Sequence, residues 1–362
     1  MGRRLRLLAA TGALLAAVVA PAASASPAVV GYPASVASTG DSITRAFDSG
    51  FPFMDVPANS WSTGTNPSVL SHYSRILAAH PAIAGRAYND ARTGARMADL
   101  PGQVTVAAGQ GADYLTVLMG ANDACRGSEA AMTSVAAFRD QFAAALARFA
   151  AARPDARIYV VSIPDVHRLW EVLHGHVLAP WVWSTFGLCQ SLLAAPTSMA
   201  AEDVARRQRV RQRVIDYNTQ LAQVCAVYVH CRFDGNASFN TDFAAADVSG
   251  LDFFHPSVSG HRKLAALSWE AGFDFSDTTL PTSAASTSTL AARAVTVTLT
   301  ASDNAGVSGI EYRLGANGYR RYTGPIRVWR GQTLVYRAVD VNGNSEATKT
   351  LSLPAAAVRG SR

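Results

Sequence analysis

The chain has 362 residues, 49% of them hydrophobic, with a formal net charge of +6 at pH 7. That length and apolar content suffice for one large domain and one small one, each with its own core. The positive surplus sits partly in the first residues and partly in one run, Arg206, Arg207, Arg209, Arg211 and Arg213. Those positions point around much of a helix surface and read as a solvated face. No nucleic-acid motif accompanies them, so no nucleic-acid partner is expected.

Residues 1–25 read as a secretory signal peptide. Arg3, Arg4 and Arg6 form its basic start, Leu7 to Ala20 its apolar run, and Ala23-Ser24-Ala25 a small-residue cleavage site. The run is too short for a comfortable membrane span. No later stretch would cross a bilayer, which predicts an exported, soluble protein without stable membrane insertion. Ala34 to Ala37 is a short apolar run that predicts a strand. Ser38-Thr39-Gly40-Asp41-Ser42-Ile43-Thr44 follows it. Gly40 permits a tight bend, because glycine reaches backbone angles that other residues avoid. Ser42 then stands where a parallel strand hands over to a helix. Open α/β sheets hold their ligands at such strand ends, and a helix start offers free N–H groups to a developing anion. Taken alone, a serine there is more simply a helix cap.

Further along, Ser71 to Ala79 has a helical pattern, and Asp113 to Met119 is a continuous apolar strand ending at Gly120. Thr133 is in position to cap the next helix, where Val135, Phe138, Phe142, Leu146 and Phe149 recur at three- and four-residue steps. Arg157 to Ile163 is another apolar strand. This rhythm predicts a parallel sheet with helices on both faces. Asp165 to Gln190 interrupts it with Trp170, Trp181, Trp183, Phe186, His167, His174 and His176. The stretch reads as an insertion near the strand ends, either lining one side of a pocket or packing on itself. Its histidines lack a carboxylate at metal-site spacing, so no metal is expected. A long helix over Glu202 to Val224 presents Val210, Val214, Tyr217, Leu221 and Val224 on one face. A short strand over Ala226 to Val229 and a helix over Ser259 to Ala271 complete the large domain.

Residues 276–290 are rich in Thr, Ser, Ala and Pro and read as a linker or a loose approach to a second domain. Beyond them the period becomes two: Val295, Val297 and Leu299, then Ile310, Tyr312 and Leu314, then Leu334, Tyr336 and Ala338. Turns at Asn317-Gly318 and Asn342-Gly343 separate such runs, predicting a small antiparallel β domain. Tyr312, Tyr319, Tyr322 and Trp329 offer either a sugar-binding platform or cross-strand packing. Four cysteines in an exported chain predict two disulfides. Three connectivities exist, and Cys125–Cys189 with Cys225–Cys231 is the favoured one. The spacing is not that of a zinc site.

Four ordered blocks carry a resemblance. Gly40-Asp41-Ser42, Asn89-Asp90-Ala91-Arg92-Thr93-Gly94, Gly120-Ala121-Asn122-Asp123 and Asp252-Phe253-Phe254-His255-Pro256-Ser257 together resemble the SGNH (GDSL-type) serine hydrolases, and the likeness runs toward their secreted actinobacterial branch. The resemblance implies a three-layer α/β/α fold with a flavodoxin-like parallel sheet over residues 30–275. The β region over 291–355 resembles bacterial Ig-like modules appended to secreted enzymes. Many such hydrolases carry a cysteine pair soon after the nucleophile block, whereas Gly50 to Val56 has none, so that loop should be less constrained.

The chemistry follows from the residue types. A serine hydroxyl needs a base to take its proton. His255 can do so near neutral pH, and Asp252 can hold the other ring N–H and stabilise the imidazolium. His261 is a rival base inside a predicted helix. For the oxyanion, the resemblance implies the backbone N–H groups of Ser42 and Gly94 and the side-chain amide of Asn122. Asp41 and Asp123 are expected to anchor backbone. The expected protein is a secreted carboxylic ester hydrolase that needs no cofactor and is active as a monomer. It would act on small acyl or lipid esters or, alternatively, on acetylated polysaccharide, with the C-terminal domain contacting sugar. The remaining alternative is a secreted binding protein without catalysis.

Overall fold

The computed structural model describes residues 27–291 and 293–353, so the signal sequence expected over 1–25 lies outside the described residues. Strand β1 (Val36–Gly40) leads into a one-turn helix, α1 (Ser42–Arg45). After α2 (His72–Ala79) come β2 (Ala87–Asn89), α3 (Leu100–Gly109), β3 (Tyr114–Leu118) and the short α4 (Ala121–Ala124). They are followed by α5 (Val135–Ala152) and β4 (Arg157–Val160). The stretch read as an insertion is helical, with α6 (Val166–Leu173), α7 (Ala179–Thr185) and α8 (Gln190–Leu193). The long α9 (Ala201–Cys225), β5 (Cys231–Phe233) and α10 (Val258–Ala271) complete this part.

The five strands are all parallel in the order β2-β1-β3-β4-β5. The order reverses around β1, and the crevice between the ends of β1 and β3 is where an open α/β sheet holds its ligands. Both faces are covered, which is why the strands read as unbroken apolar runs. Alternate residues go to opposite faces. Val36, Tyr114, Leu118 and Tyr159 join one core with Ile76 of α2 and Leu264 of α10. Ala37, Leu115, Val117, Ile158 and Val160 join the other, under Val104 of α3, Phe142 and Leu146 of α5 and Val214 and Leu221 of α9.

Local expectations differ from the structure in three places. The cap of α5 is Ser134, whose hydroxyl accepts from Ala137 N at 3.2 Å, while Thr133 instead donates to Asp123 at 2.7 Å. The last strand lies at Cys231–Phe233 rather than Ala226–Val229, because the chain turns after α9 before it reaches the register of β4. The Thr/Ser/Ala-rich stretch 276–290 is not slack chain: much of it is β6 (Thr282–Ala291), bonded along β7 (Ala294–Ser302). Thr and Ser suit a strand that covers a sheet edge with one face exposed. The cysteines pair as Cys125–Cys189 and Cys225–Cys231. The first bridge ties α4 to the start of α8, and the second closes the turn between α9 and β5.

After β7 come β8 (Val307–Leu314), β9 (Arg320–Arg321), β10 (Ile326–Trp329), β11 (Thr333–Asp340) and β12 (Lys349–Ser352). They form two antiparallel sheets, β10-β7-β6 and β12-β11-β8-β9. Val295, Val297, Leu299, Ile310, Leu334, Tyr336 and Ala338, picked out by their alternation, share the core between them. Tyr312 and Tyr322 meet edge to face with centroids 6.4 Å apart, and the Tyr322 hydroxyl accepts from Leu299 N. They pack across strands. Trp329 is half exposed beside Arg327.

These sheets rest on the amino ends of β4 and β5. Arg157 is buried and donates to Gly31 O at 2.7 Å and to Asn344 Oδ1 at 3.0 Å. Gly343 closes over it with φ 73°, where a Cβ would come within 2.6 Å of Arg157 Nε, so no larger residue fits without displacing the guanidinium. Arg337, fully buried, pairs with Glu311 at 2.5 Å and Asp155 at 2.6 Å.

Candidate active site

The site is built on the handover from β1 to α1. Gln103 of α3 clamps Gly40 from both sides, its amide donating to Gly40 O and its carbonyl accepting from Gly40 N, each at 2.8 Å. Gly40 has φ 149°, and a Cβ there would lie 2.3 Å from Leu118 O, so only glycine lets β1 turn this tightly beside β3. Asp41 caps the helix by accepting from Ile43 N at 3.0 Å. Ser42 follows as the first helical residue, 5% exposed.

His255 meets it from the loop before α10. His255 Nε2 lies 2.8 Å from Ser42 Oγ, and Nδ1 lies 2.5 Å from Asp252 Oδ2. A carboxylate only accepts, so Nδ1 carries the ring proton and Nε2 is left to accept from the serine hydroxyl. Asp252 is itself fixed, since its Oδ1 accepts from Phe254 N at 2.9 Å and His255 N at 3.0 Å. Burial pushes its carboxyl up, but the bond and charge of His255 outweigh that and hold it below the usual carboxylate range. Phe47 and Phe254 pack edge-on against the imidazole at 5.0 and 5.1 Å and restrict its rotation. His261 is excluded as the base at Ser42. It is fully buried in α10, its ring nitrogens have no hydrogen-bond partner among the described residues, and burial pushes it down to about 3.

Asn122 lies in α4, just past the end of β3, and lines the same cavity as Ser42 and His255. Its amide donates one N–H to Ala95 O at 3.0 Å, which leaves its second N–H available. This bond ties the loop of Gly94 to the loop of Asn122. Gly94 has φ 78° and does not itself line the cavity. Asp123 accepts from Met97 N at 2.8 Å and from Thr133 at 2.7 Å, so it anchors backbone and α5 as expected. Asp41 also anchors backbone, through Ile43 N, while its Oδ2 is buried without a hydrogen-bond partner among the described residues and burial raises its carboxyl to about 7.

The cavity beside Ser42 has a volume of about 100 Å³ and is mostly apolar. Val166, Leu169 and Val172 of α6 form one wall, with Phe254, Val248 and Leu264 opposite and Arg168 at the side. The aromatic residues of the insertion are not its lining. Trp170 stacks under Arg207 at 4.1 Å, and Trp183 Nε1 donates to Phe253 O at 2.9 Å, supporting the His255 loop from behind. Trp181 and Phe186 are exposed. The three-residue spacing of Val166, Leu169 and Val172 is the sequence signal for this wall; the tryptophans draw the eye away from it. His167 does have a carboxylate neighbour, Glu171, at 3.1 Å one helical turn away. Among the described residues, the clusters with metal-compatible spacing are Asp48–Asp252–His255 and Asp277–Asp303–Asp340, and the insertion histidines join neither.

A family model described as the GDSL-like Lipase/Acylhydrolase family matches residues 39–263. Among solved structures, the chain is similar to an extracellular lipase from Streptomyces rimosus, at 17% identity over 66% of this chain and 99% of that one, with a TM-score of 0.40. It is similar to a family 3 carbohydrate esterase from Clostridium thermocellum, at 12% identity over 65% of this chain and 93% of that one, with a TM-score of 0.35. It is also similar to an acetyl xylan esterase, at 15% identity over 66% of this chain and 98% of that one, with a TM-score of 0.35. No curated protein matches the chain.

Proposed function

The chain belongs to the GDSL-like lipase/acylhydrolase family, and from that premise we propose that it is a secreted serine ester hydrolase that forms an acyl-enzyme on Ser42. The observation that carries this reading is the continuous chain Asp252–His255–Ser42, with contacts of 2.5 and 2.8 Å, opening on an apolar cavity. His255 Nε2 takes the hydroxyl proton as Ser42 Oγ attacks the ester carbon. Asp252 stabilises the imidazolium. The same proton then goes to the leaving alkoxide, and a water molecule repeats the sequence to release the acid. Ser42 N and the second Asn122 N–H, both at the cavity, donate to the oxyanion, and Gly94 N is the third donor that the family resemblance implies. No step requires a cofactor.

The walls formed by Val166, Leu169, Val172 and Phe254 favour an apolar acyl chain over the acetyl group of a polysaccharide, because an acetyl would leave most of this surface against water. Two disulfides, and the absence of any helix long and apolar enough to cross a membrane among the described residues, support export. We assign residues 30–275 to the hydrolase and 291–355 to an Ig-like module, with the protein working as a monomer. The test combines fluorophosphonate labelling with a p-nitrophenyl ester series of rising chain length beside acetylated xylan. Labelling confined to Ser42, turnover rising from acetate toward medium chains, and a loss of about 10⁴-fold or more in Ser42→Ala are expected. Turnover of acetylated xylan above that of every soluble ester would move the assignment to carbohydrate esters. Near wild-type turnover in Ser42→Ala would end the serine mechanism.

A further inference from the structure

The segment after α1 brings a second carboxyl to the Asp252–His255 pair. Asp48 is 2% exposed and sits in the left-handed backbone region at φ 55°, which Asp tolerates better than most residues. It is bolted in place from several sides. Its N–H donates to Met54 O at 2.9 Å, its carboxyl accepts from Phe53 N, and its carbonyl accepts from Ser249 Oγ at 2.6 Å. Ser249 belongs to the same loop as His255, and Ser249 N donates to His255 O at 2.8 Å. One ligand-type atom from each of Asp48, Asp252 and His255 lies within 4.8 Å of the others. Among the described residues no lysine or arginine pairs with either carboxylate. Arg45, on the same segment, is taken by Asp55 at 2.9 Å.

Two buried carboxylates this close without a cation do not both ionise freely. The geometry points to Asp48 as a positioning residue, a second carboxyl that shares a proton with Asp252 and so sets how Asp252 holds His255. The inference rests on the Ser42 reading above. Burial and the neighbouring Asp252 push the Asp48 carboxyl up, which agrees with a proton held there. The titratable groups facing Asp48 are Asp252 and His255. When the shared proton leaves, the site gains a negative charge beside the imidazole and favours imidazolium over free base.

Asp48→Asn mimics the protonated acid: its carbonyl can accept from Phe53 N and its amide can donate to Asp252. Asp48→Ala removes both. The experiment is the pH profile of kcat/KM on a soluble p-nitrophenyl ester, with kcat, KM and Tm for each variant. Asn should move the acid limb at least half a pH unit lower, since a neutral amide no longer stabilises imidazolium. Ala should lose at least tenfold in kcat with KM within twofold, and Asn should recover at least fivefold of that loss. If Ala does not fold, the Asn and wild-type profiles decide alone. Superimposable acid limbs, or Asn as impaired as Ala, would overturn the role of Asp48. Absence of fluorophosphonate labelling in the wild type would instead overturn the Ser42 reading.

Discussion

At the carboxyl ends of the parallel strands the buried charges are acidic and short of cations. Asp41, Asp48 and Asp252 crowd around one serine and one histidine. At the amino ends two buried arginines have fixed acceptors and are tied to both parts of the chain. Arg157 reaches Gly31 and Asn344, and Arg337 reaches Asp155 and Glu311. Burial raises the cost of charge at both ends, but the outcomes differ. Where partners can move a proton, burial tunes chemistry. Where an arginine cannot give its proton up, burial demands fixed acceptors, and those acceptors join the β sheets to the hydrolase core.

The largest expected effect comes from breaking the amino end. Arg337→Met keeps the bulk but removes the guanidinium that Glu311 and Asp155 share, leaving Glu311 only His230 at 3.6 Å. Removing one partner of a buried pair costs about 3–5 kcal/mol, so chemical denaturation should show a loss of that size. Turnover of soluble esters by the folded fraction should be retained, because Ser42 lies at the opposite end of the sheet. A variant as stable as wild type would mean that this junction does not hold the two parts together.

Breaking the carboxyl end should do the reverse. Asn122→Ala removes a donor to an oxyanion that exists only in the tetrahedral state, so kcat should fall more than KM rises. Loss of one such donor costs on the order of 10²–10³ in kcat, about 3–4 kcal/mol. Asn122 also holds Ala95 O, so a small fall in Tm accompanies it. A destabilised variant with unchanged kcat would assign Asn122 to the loop alone.

The smallest effect depends on pH. Asp41 has a folded-state pKa of about 7 against an ordinary 3.8, so between those values the native state binds more protons than the unfolded chain. Stability therefore falls as pH rises through that window. The span corresponds to at most ~4 kcal/mol, and the polar amide of Asn takes back part of it. Asp41→Asn should gain a few degrees in Tm at pH 8 and nothing at pH 4. A pH-independent difference would show that Asp41 does not ionise in this window.

Much of this is legible in the residues because its causes are local. Unbroken apolar runs mark strands buried on both faces, as in Tyr114–Leu118. The recurrence of Phe138, Phe142, Leu146 and Phe149 marks α5, and the same logic marks α9. The short blocks around Ser42, Asn122 and Asp252–His255 mark the site because only a few residue types can supply a nucleophile, a base, its orienter and an amide donor. Cys225 and Cys231 sit close enough in the chain for their bridge to be read.

The rest depends on distances between parts far apart in the chain. Nothing in Phe47-Asp48-Ser49 says that its carboxyl meets Asp252, since that depends on how two loops fold over β1. The tryptophans of the insertion are more conspicuous than Val166, Leu169 and Val172, yet only the tertiary packing decided which face of α6 meets the cavity. The Thr/Ser-rich stretch 276–290 has loop composition, but β7 provides a ladder for it, and cross-strand bonding outweighs a weak local preference. Arg157 opens an apolar strand, where a charge would ordinarily face solvent. It is buried because Gly343 and Asn344, nearly two hundred residues later, close over it. Sequence by itself determined which residues could do the chemistry and where β1, β3, β4, α5, α9 and α10 run, because side-chain type and periodicity act over a few residues. Only the tertiary structure decided which charges are buried together, because desolvation and pairing depend on groups that meet once the chain has folded.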